Sequence, residues 1–68
     1  MQDMLLAILL WLGCISAPNT YTQPQIDVFA TQNQVVINEV MSTPPKQEVI
    51  WQAYGPQVIY VEVIDPFK

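Results

Sequence analysis

The chain lacks the side chains on which most small-protein chemistry depends. It has no histidine, one cysteine (Cys14) and two glycines among its 68 residues. One cysteine cannot form an internal disulfide, and a zinc site needs several cysteine or histidine ligands. Histidine is also the usual base that activates a serine or cysteine nucleophile, and a phosphate-binding loop is rich in glycine. We therefore expect a protein that is not an enzyme and that holds neither a cofactor nor a metal ion.

Positive charge is equally scarce. The two cations are Lys46 and Lys68, arginine is absent, and six acidic residues bring the net charge to −4. Binding to nucleic acid requires a basic patch that displaces counterions from phosphates, so nucleic acid is not an expected partner. Charged residues make up 12% of the chain and hydrophobic residues 51%, whereas about a quarter of an average soluble domain is charged. This balance predicts a chain that places much of its surface against lipid or other protein subunits.

The longest apolar run, MLLAILLWLGCI, covers residues 4–15. It is too long for an ordinary strand and is rich in helix-forming residues, so we predict a helix within residues 1–17 that ends before Pro18. A helix from Asp3 to Ala17 would be ~22 Å long, against a bilayer hydrocarbon core of ~30 Å. The first interpretation is a single-pass membrane anchor, or a helix in the hydrophobic socket of a partner. The anchoring residues would be Leu5, Leu6, Ile8, Leu9, Leu10, Trp11 and Leu12.

Two other interpretations of this run stay open. Residues 1–16 could be a signal sequence cleaved after Ser16, which would make the protein secreted or periplasmic, although Asp3 stands where such signals carry a basic residue. Alternatively, Cys14 could be lipidated, because Leu12-Gly13-Cys14 resembles the end of a lipobox. Trp11 is a poor match to that pattern, which prefers leucine there.

The rest of the chain divides at its prolines. Residues 18–24, PNTYTQP, predict an extended linker, and residues 25–68 predict a β-hairpin segment rich in Val, Ile, Tyr and Trp. We expect four strands, with turns at 31–33 and at Gly55-Pro56. The predicted strands are Gln25–Ala30, Gln34–Met41, Gln47–Tyr54 and Val58–Ile64. The predicted fold class is α+β, a single N-terminal apolar helix followed by a small β-hairpin or meander that partners stabilise. A compact four-strand core with the helix packed on one face is the alternative.

Both faces of the second hairpin would be apolar, and a chain this small cannot cover both from within. We therefore predict that this hairpin contacts other proteins. The predicted interface residues are Trp51, Tyr54, Val58, Tyr60, Val61 and Val63. The function predicted from the sequence is a non-enzymatic structural or accessory subunit of a larger assembly, such as a virus particle or a membrane protein complex. The alternative is a secreted or lipid-anchored small β protein.

Overall fold

The computed structural model describes residues 2–66, and this part of the chain forms four helices and two short strands. In chain order the elements are α1 (Gln2–Leu12), β1 (Asn19–Thr22), α2 (Gln23–Gln32), α3 (Gln34–Met41), α4 (Pro44–Val58) and β2 (Val61–Ile64). The chain is therefore a mixed α+β protein, as the sequence indicates. The finer prediction, one helix followed by hairpins, is wrong.

The first helix lies in the middle of the protein. Its residues Leu6, Ala7, Ile8, Leu9 and Leu10 are consecutive and all buried. A helix that is apolar on every side needs partners on every side, and here the chain itself supplies them. Helices α2, α3 and α4 and strand β2 each contribute one or two buried hydrophobic residues to this core, namely Ile26, Val40, Ile50, Val58 and Val61. The most extensive of these contacts is between α1 and α4.

The expectation of a single-pass membrane anchor is wrong. No helix within residues 2–66 has both the length and the apolar character needed to cross a bilayer. The apolar run yields a helix of 11 residues that ends at Leu12, before the predicted end at Ala17. Its end is set by Gly13, which adopts a φ of +80°. The N–H of Gly13 donates to the Leu10 carbonyl and that of Cys14 to the Leu9 carbonyl, which is the Schellman arrangement that closes a helix.

The predicted strands are largely helical. Gln25–Ala30 lies inside α2, Gln34–Met41 coincides with α3, and Gln47–Tyr54 lies inside α4. Only the last four residues of the fourth predicted strand, Val61–Ile64, are extended. The predicted linker of residues 18–24 contains β1 and the start of α2. The β-hairpin prediction is wrong because β1 and β2 are parallel, with Asn19 opposite Val61 and Thr22 opposite Ile64.

Local hydrogen bonds explain why helices form where β-branched residues suggest strands. Thr22 and Gln25 form a capping box: the Gln25 N–H donates to Thr22 Oγ1, and the Thr22 N–H donates to Gln25 Oε1. Pro44 and Pro45 occupy the first positions of α4, where proline has no intrahelical N–H to lose. Gln47 Nε2 donates to the Val40 and Met41 carbonyls at the end of α3. These hydrogen bonds and prolines stabilise the helix ends, and they favour helical structure in the residues between them.

The two-stranded sheet packs one face on the core. Val61 is buried, and the half-buried side chains of Tyr21 and Val63 also pack against the core. The Tyr21 and Phe29 rings pack edge to face, with their centroids 6.4 Å apart. The Tyr21 hydroxyl accepts a hydrogen bond from the Ser16 N–H. Glu62 and Ile64 alternate with these residues and are exposed. The sheet therefore joins the segment after α1 to the segment after α4.

Candidate protein interface

The residues predicted to anchor the chain lie mostly in its own core. Leu6, Ile8, Leu9 and Leu10 are buried, and the half-buried Leu5 and Leu12 pack against the same core. Trp11 differs from them, because 41% of its surface is exposed at the end of α1. The apolar run thus packs against the protein's own helices over most of its length.

Cys14, predicted as a candidate for lipidation, is half-buried in the turn after α1. Its Sγ accepts a hydrogen bond of 3.3 Å from Asn33 Nδ2, and the same amide group donates to the Phe29 carbonyl. Asn33 is the residue between α2 and α3. The thiol therefore helps to hold the end of α1 against the junction of two other helices.

The six residues predicted to form a partner interface do not form one surface. Val58 and Val61 are buried in the core, and Tyr54 and Val63 are half-buried against it. Trp51 and Tyr60 are exposed, at 43% and 61%. They lie apart along α4, since Trp51 precedes the end of the helix by about two turns and Tyr60 follows that end.

Tyr60 forms the centre of one candidate interface. Two surface cavities adjoin its side chain, and both also contact Pro18. We call this region the Tyr60 surface; it comprises Ala17, Pro18, Asn19, Thr20, Gln57, Ile59, Tyr60 and Glu62. Its apolar centre is the pair Ile59 and Tyr60, exposed at 79% and 61%. Ile59 is absent from the interface predicted from the sequence.

The backbone beneath Tyr60 is held on both sides. Its N–H donates to the Gln57 carbonyl at 3.0 Å, which closes the turn after α4, and its carbonyl accepts from the Asn19 N–H at 3.2 Å. The Tyr60 side chain therefore projects from a fixed backbone. Glu62 is the one charged residue of this surface. The Tyr60 surface can therefore form apolar contacts and hydrogen bonds, and this combination suits binding to another protein.

A second candidate interface lies at the other end of α4. A groove of about 460 Å³ runs between the beginnings of α1 and α4, and we call it the Trp51 groove. Its lining residues are Asp3, Met4, Pro44, Gln47, Glu48 and Trp51. The Trp51 ring also lies on Gly55, so that an added Cβ there would stand 2.8 Å from Cδ2 and 2.9 Å from Cε2. Gly55, which the sequence predicts to lie in a turn, instead lies buried within α4, where the absence of a side chain admits the ring.

Charged groups elsewhere are few. Lys46 Nζ donates to Glu39 Oε1 and links α4 to α3, and this hydrogen bond together with the lysine charge lowers the pKa of Glu39 below its ordinary value of 4.5. Within residues 2–66, no group of three acidic or cysteine side chains is arranged to hold a metal ion.

Comparison with protein family models, characterised proteins and solved structures finds no match to this chain.

Proposed function

We propose that this protein is a small non-enzymatic accessory subunit of a larger assembly and that it docks on a neighbouring protein through the Tyr60 surface. The observation that carries the proposal is the exposure of two adjacent apolar residues, Ile59 at 79% and Tyr60 at 61%, beside Pro18. Exposed apolar groups clustered in this way are typical of protein interfaces, whereas single exposed apolar residues are common everywhere.

The chemistry of Tyr60 suits an interface centre. Tyrosine combines a large apolar ring with a hydroxyl and is enriched among the residues that dominate binding energy. Its backbone is fixed by the hydrogen bonds to Gln57 and Asn19, so little backbone entropy is lost when a partner binds. The cavity between Pro18, Gln57 and Tyr60 could take an apolar side chain of the partner.

The sheet supports the same proposal. Within residues 2–66, β1 and β2 each pair only with the other strand, so each has an edge without a strand partner. An extended segment of a partner can add to such an edge through backbone hydrogen bonds. Asn19 and Thr20 belong both to β1 and to the Tyr60 surface, so a segment that paired with the free edge of β1 would lie close to this surface.

The test compares the wild-type chain with an Ile59→Ser, Tyr60→Ser double variant. Each is purified gently from its native source, separated by size-exclusion chromatography and analysed by mass spectrometry of the co-eluting proteins. We expect the wild type to elute at high mass with fixed partners and the double variant to elute without them. The control is Val35→Ser on α3, where an apolar residue with 81% exposure is removed outside the Tyr60 surface.

The outcomes are distinct. Partners retained by Val35→Ser and lost by the double variant support docking through the Tyr60 surface. A wild-type chain that elutes alone near its own mass contradicts the subunit proposal. Equal loss of partners in both variants contradicts the assignment of the interface to Tyr60.

A further inference from the structure

The Trp51 groove combines an aromatic ring with carboxylates. Asp3 and Glu48 are exposed on its rim, the half-buried Met4 lines it, and the indole of Trp51 is 43% exposed. Glu48 and Trp51 are three residues apart on α4 and so are neighbours on one face of the helix. The groove therefore offers negative charge and a π-surface within the reach of one ligand side chain.

Gly55 fixes the position of the ring. The nearest ring atoms to an added Cβ would be the fused-bond atoms Cδ2 and Cε2, at 2.8 and 2.9 Å. The indole thus meets the Gly55 backbone with its face, and Trp51, which is 43% exposed, also lines the groove. A ring seated in this way is already in place before a ligand arrives.

Among residues 2–66, no cationic side chain lines the groove. Lys46 is the one lysine among residues 2–66, and its ammonium group is paired with Glu39 on α3. The side chain of Gln52 donates to Glu48 Oε1 at 3.4 Å, which leaves the charge of Glu48 in place. With a net charge of −4 over the whole chain, the protein attracts a cationic partner.

We propose that the Trp51 groove binds an arginine side chain in a basic segment of a partner protein. The guanidinium group would stack on the Trp51 indole while its N–H groups donate to Asp3 and Glu48. Arginine suits this arrangement because it is planar, weakly hydrated and able to bond several oxygen atoms at once. Met4 and Pro44 would contact its aliphatic stem. This inference does not depend on the Tyr60 surface, which lies at the other end of α4.

The test is an NMR titration that follows the indole N–H signals of Trp51 and Trp11. The probe is the blocked pentapeptide acetyl-Gly-Arg-Ala-Arg-Gly-amide, and the matched probe carries citrulline in both arginine positions, with the same shape and no charge. We expect the arginine peptide to shift the Trp51 signal in a saturable way and the citrulline peptide to leave it unmoved. Trp11, which lies outside the groove, serves as the internal reference.

Variants test the roles of the carboxylates. We expect Asp3→Asn and Glu48→Gln each to weaken binding about two- to fivefold and the double variant about tenfold, as for exposed charge pairs. Glu62→Gln removes an exposed acidic residue of β2 outside the groove and should leave the affinity unchanged. Each variant is first shown to unfold with the wild-type transition, so that a loss of binding is not a loss of fold.

Three results of the peptide titrations would overturn the proposal. They are the absence of a Trp51 shift with the arginine peptide, equal shifts with the citrulline peptide, and equal weakening of binding by Glu62→Gln. Phosphocholine is titrated in parallel, since its quaternary ammonium group also binds aromatic rings. Tighter binding of phosphocholine than of the peptide would replace the protein partner with a lipid headgroup and would equally overturn the proposal.

Discussion

The indole of Trp51 rests on the backbone of Gly55, one helical turn further along α4, at a separation that leaves no space for a methyl group. A Cβ on Gly55 would stand 2.8 Å from Trp51 Cδ2. In an open helix, alanine is more favourable than glycine by about 1 kcal/mol. At position 55 the contact with Trp51 opposes this gain.

We predict that Gly55→Ala lowers the free energy of unfolding by about 1–3 kcal/mol, because the rigid ring must leave its place. Chemical denaturation measures the loss, and Trp51 fluorescence reports the displaced ring. The comparison is the same substitution in a Trp51→Ala background, where Gly55→Ala should be neutral or stabilising. Equal destabilisation in both backgrounds would show that the ring is not the cause.

A second prediction concerns Gly13, whose φ of +80° ends α1. Apart from Gly13 itself and its two neighbours in the chain, no atom lies within 4 Å of the place where its Cβ would stand, so the cost of a side chain there is conformational. We expect Gly13→Ala to lower the free energy of unfolding by about 1–2 kcal/mol. Gly13→Asn should cost less, since asparagine tolerates this backbone region. Thermal and chemical unfolding of the two variants measure the difference, and equal losses would contradict it.

The third prediction tests the signal-sequence interpretation. Residues 1–16 contain six buried core residues, which are Leu6, Ala7, Ile8, Leu9, Leu10 and Ile15. We expect a chain of residues 17–68 to show no cooperative unfolding transition, because its remaining helices have no central helix to pack against. Circular dichroism with thermal melting checks this. A fragment that folds on its own would instead favour a cleaved leader.

A single substitution tests the core without truncation. Leu9 is fully buried beside the end of α1, and Leu9→Ala should lower the free energy of unfolding by about 2–5 kcal/mol through lost contacts and a residual cavity. Leu5→Ala is the matched control, because Leu5 is only half-buried in the same helix. Chemical denaturation should show a smaller loss in the free energy of unfolding for Leu5→Ala than for Leu9→Ala. Equal losses would contradict the placement of α1.

The last prediction concerns pH. The Lys46 hydrogen bond and charge lower the pKa of Glu39 below 4.5 in the folded protein. A lowered pKa favours the ionised form in the folded state, so the contribution to stability is present above pH 4.5 and is lost as the pH falls through the folded pKa. NMR titration of the Glu39 side chain should give a higher pKa in Lys46→Gln than in the wild type. Lys46→Arg keeps the charge and should keep the pKa low; an unchanged pKa in Lys46→Gln would rule out Lys46 as the cause.

Part of this fold could be predicted from composition and hydropathy. The apolar run does form a helix, and the region around residues 61–64 is extended, because leucine-rich and valine-rich segments strongly favour these states. What the run packs against could not be predicted: a uniformly apolar helix suits lipid, a partner and a protein core equally. Its short length, 11 residues, fits the core.

The helices of residues 23–58 were missed for a different reason. Their Val, Ile, Tyr and Trp residues favour strands intrinsically, yet Ile50, Tyr54 and Val58 recur at intervals of four and lie on the core side of α4. The sequence also contains residues typical of helix N-termini: Thr22 with Gln25 at α2, and the two prolines after Thr43 at α4. The candidate interfaces were only partly predictable, because Trp51 and Tyr60 stand out in the sequence, whereas the contributions of Asp3, Pro18 and Gly55 depend on tertiary contacts.

The parallel pairing of β1 with β2 also bears on how the protein folds as it is synthesised. Residues 19–22 leave the ribosome long before residues 61–64, and all three later helices lie between them. Until β2 emerges, the nascent chain contains α1 and the Asn19–Thr22 segment, and this segment lacks the strand with which it pairs. Closing so long a loop costs entropy that the helix contacts must first offset. We therefore expect the sheet to form late in folding, and a stall in translation before Val61 to leave an apolar helix incompletely covered and open to aggregation or chaperone capture.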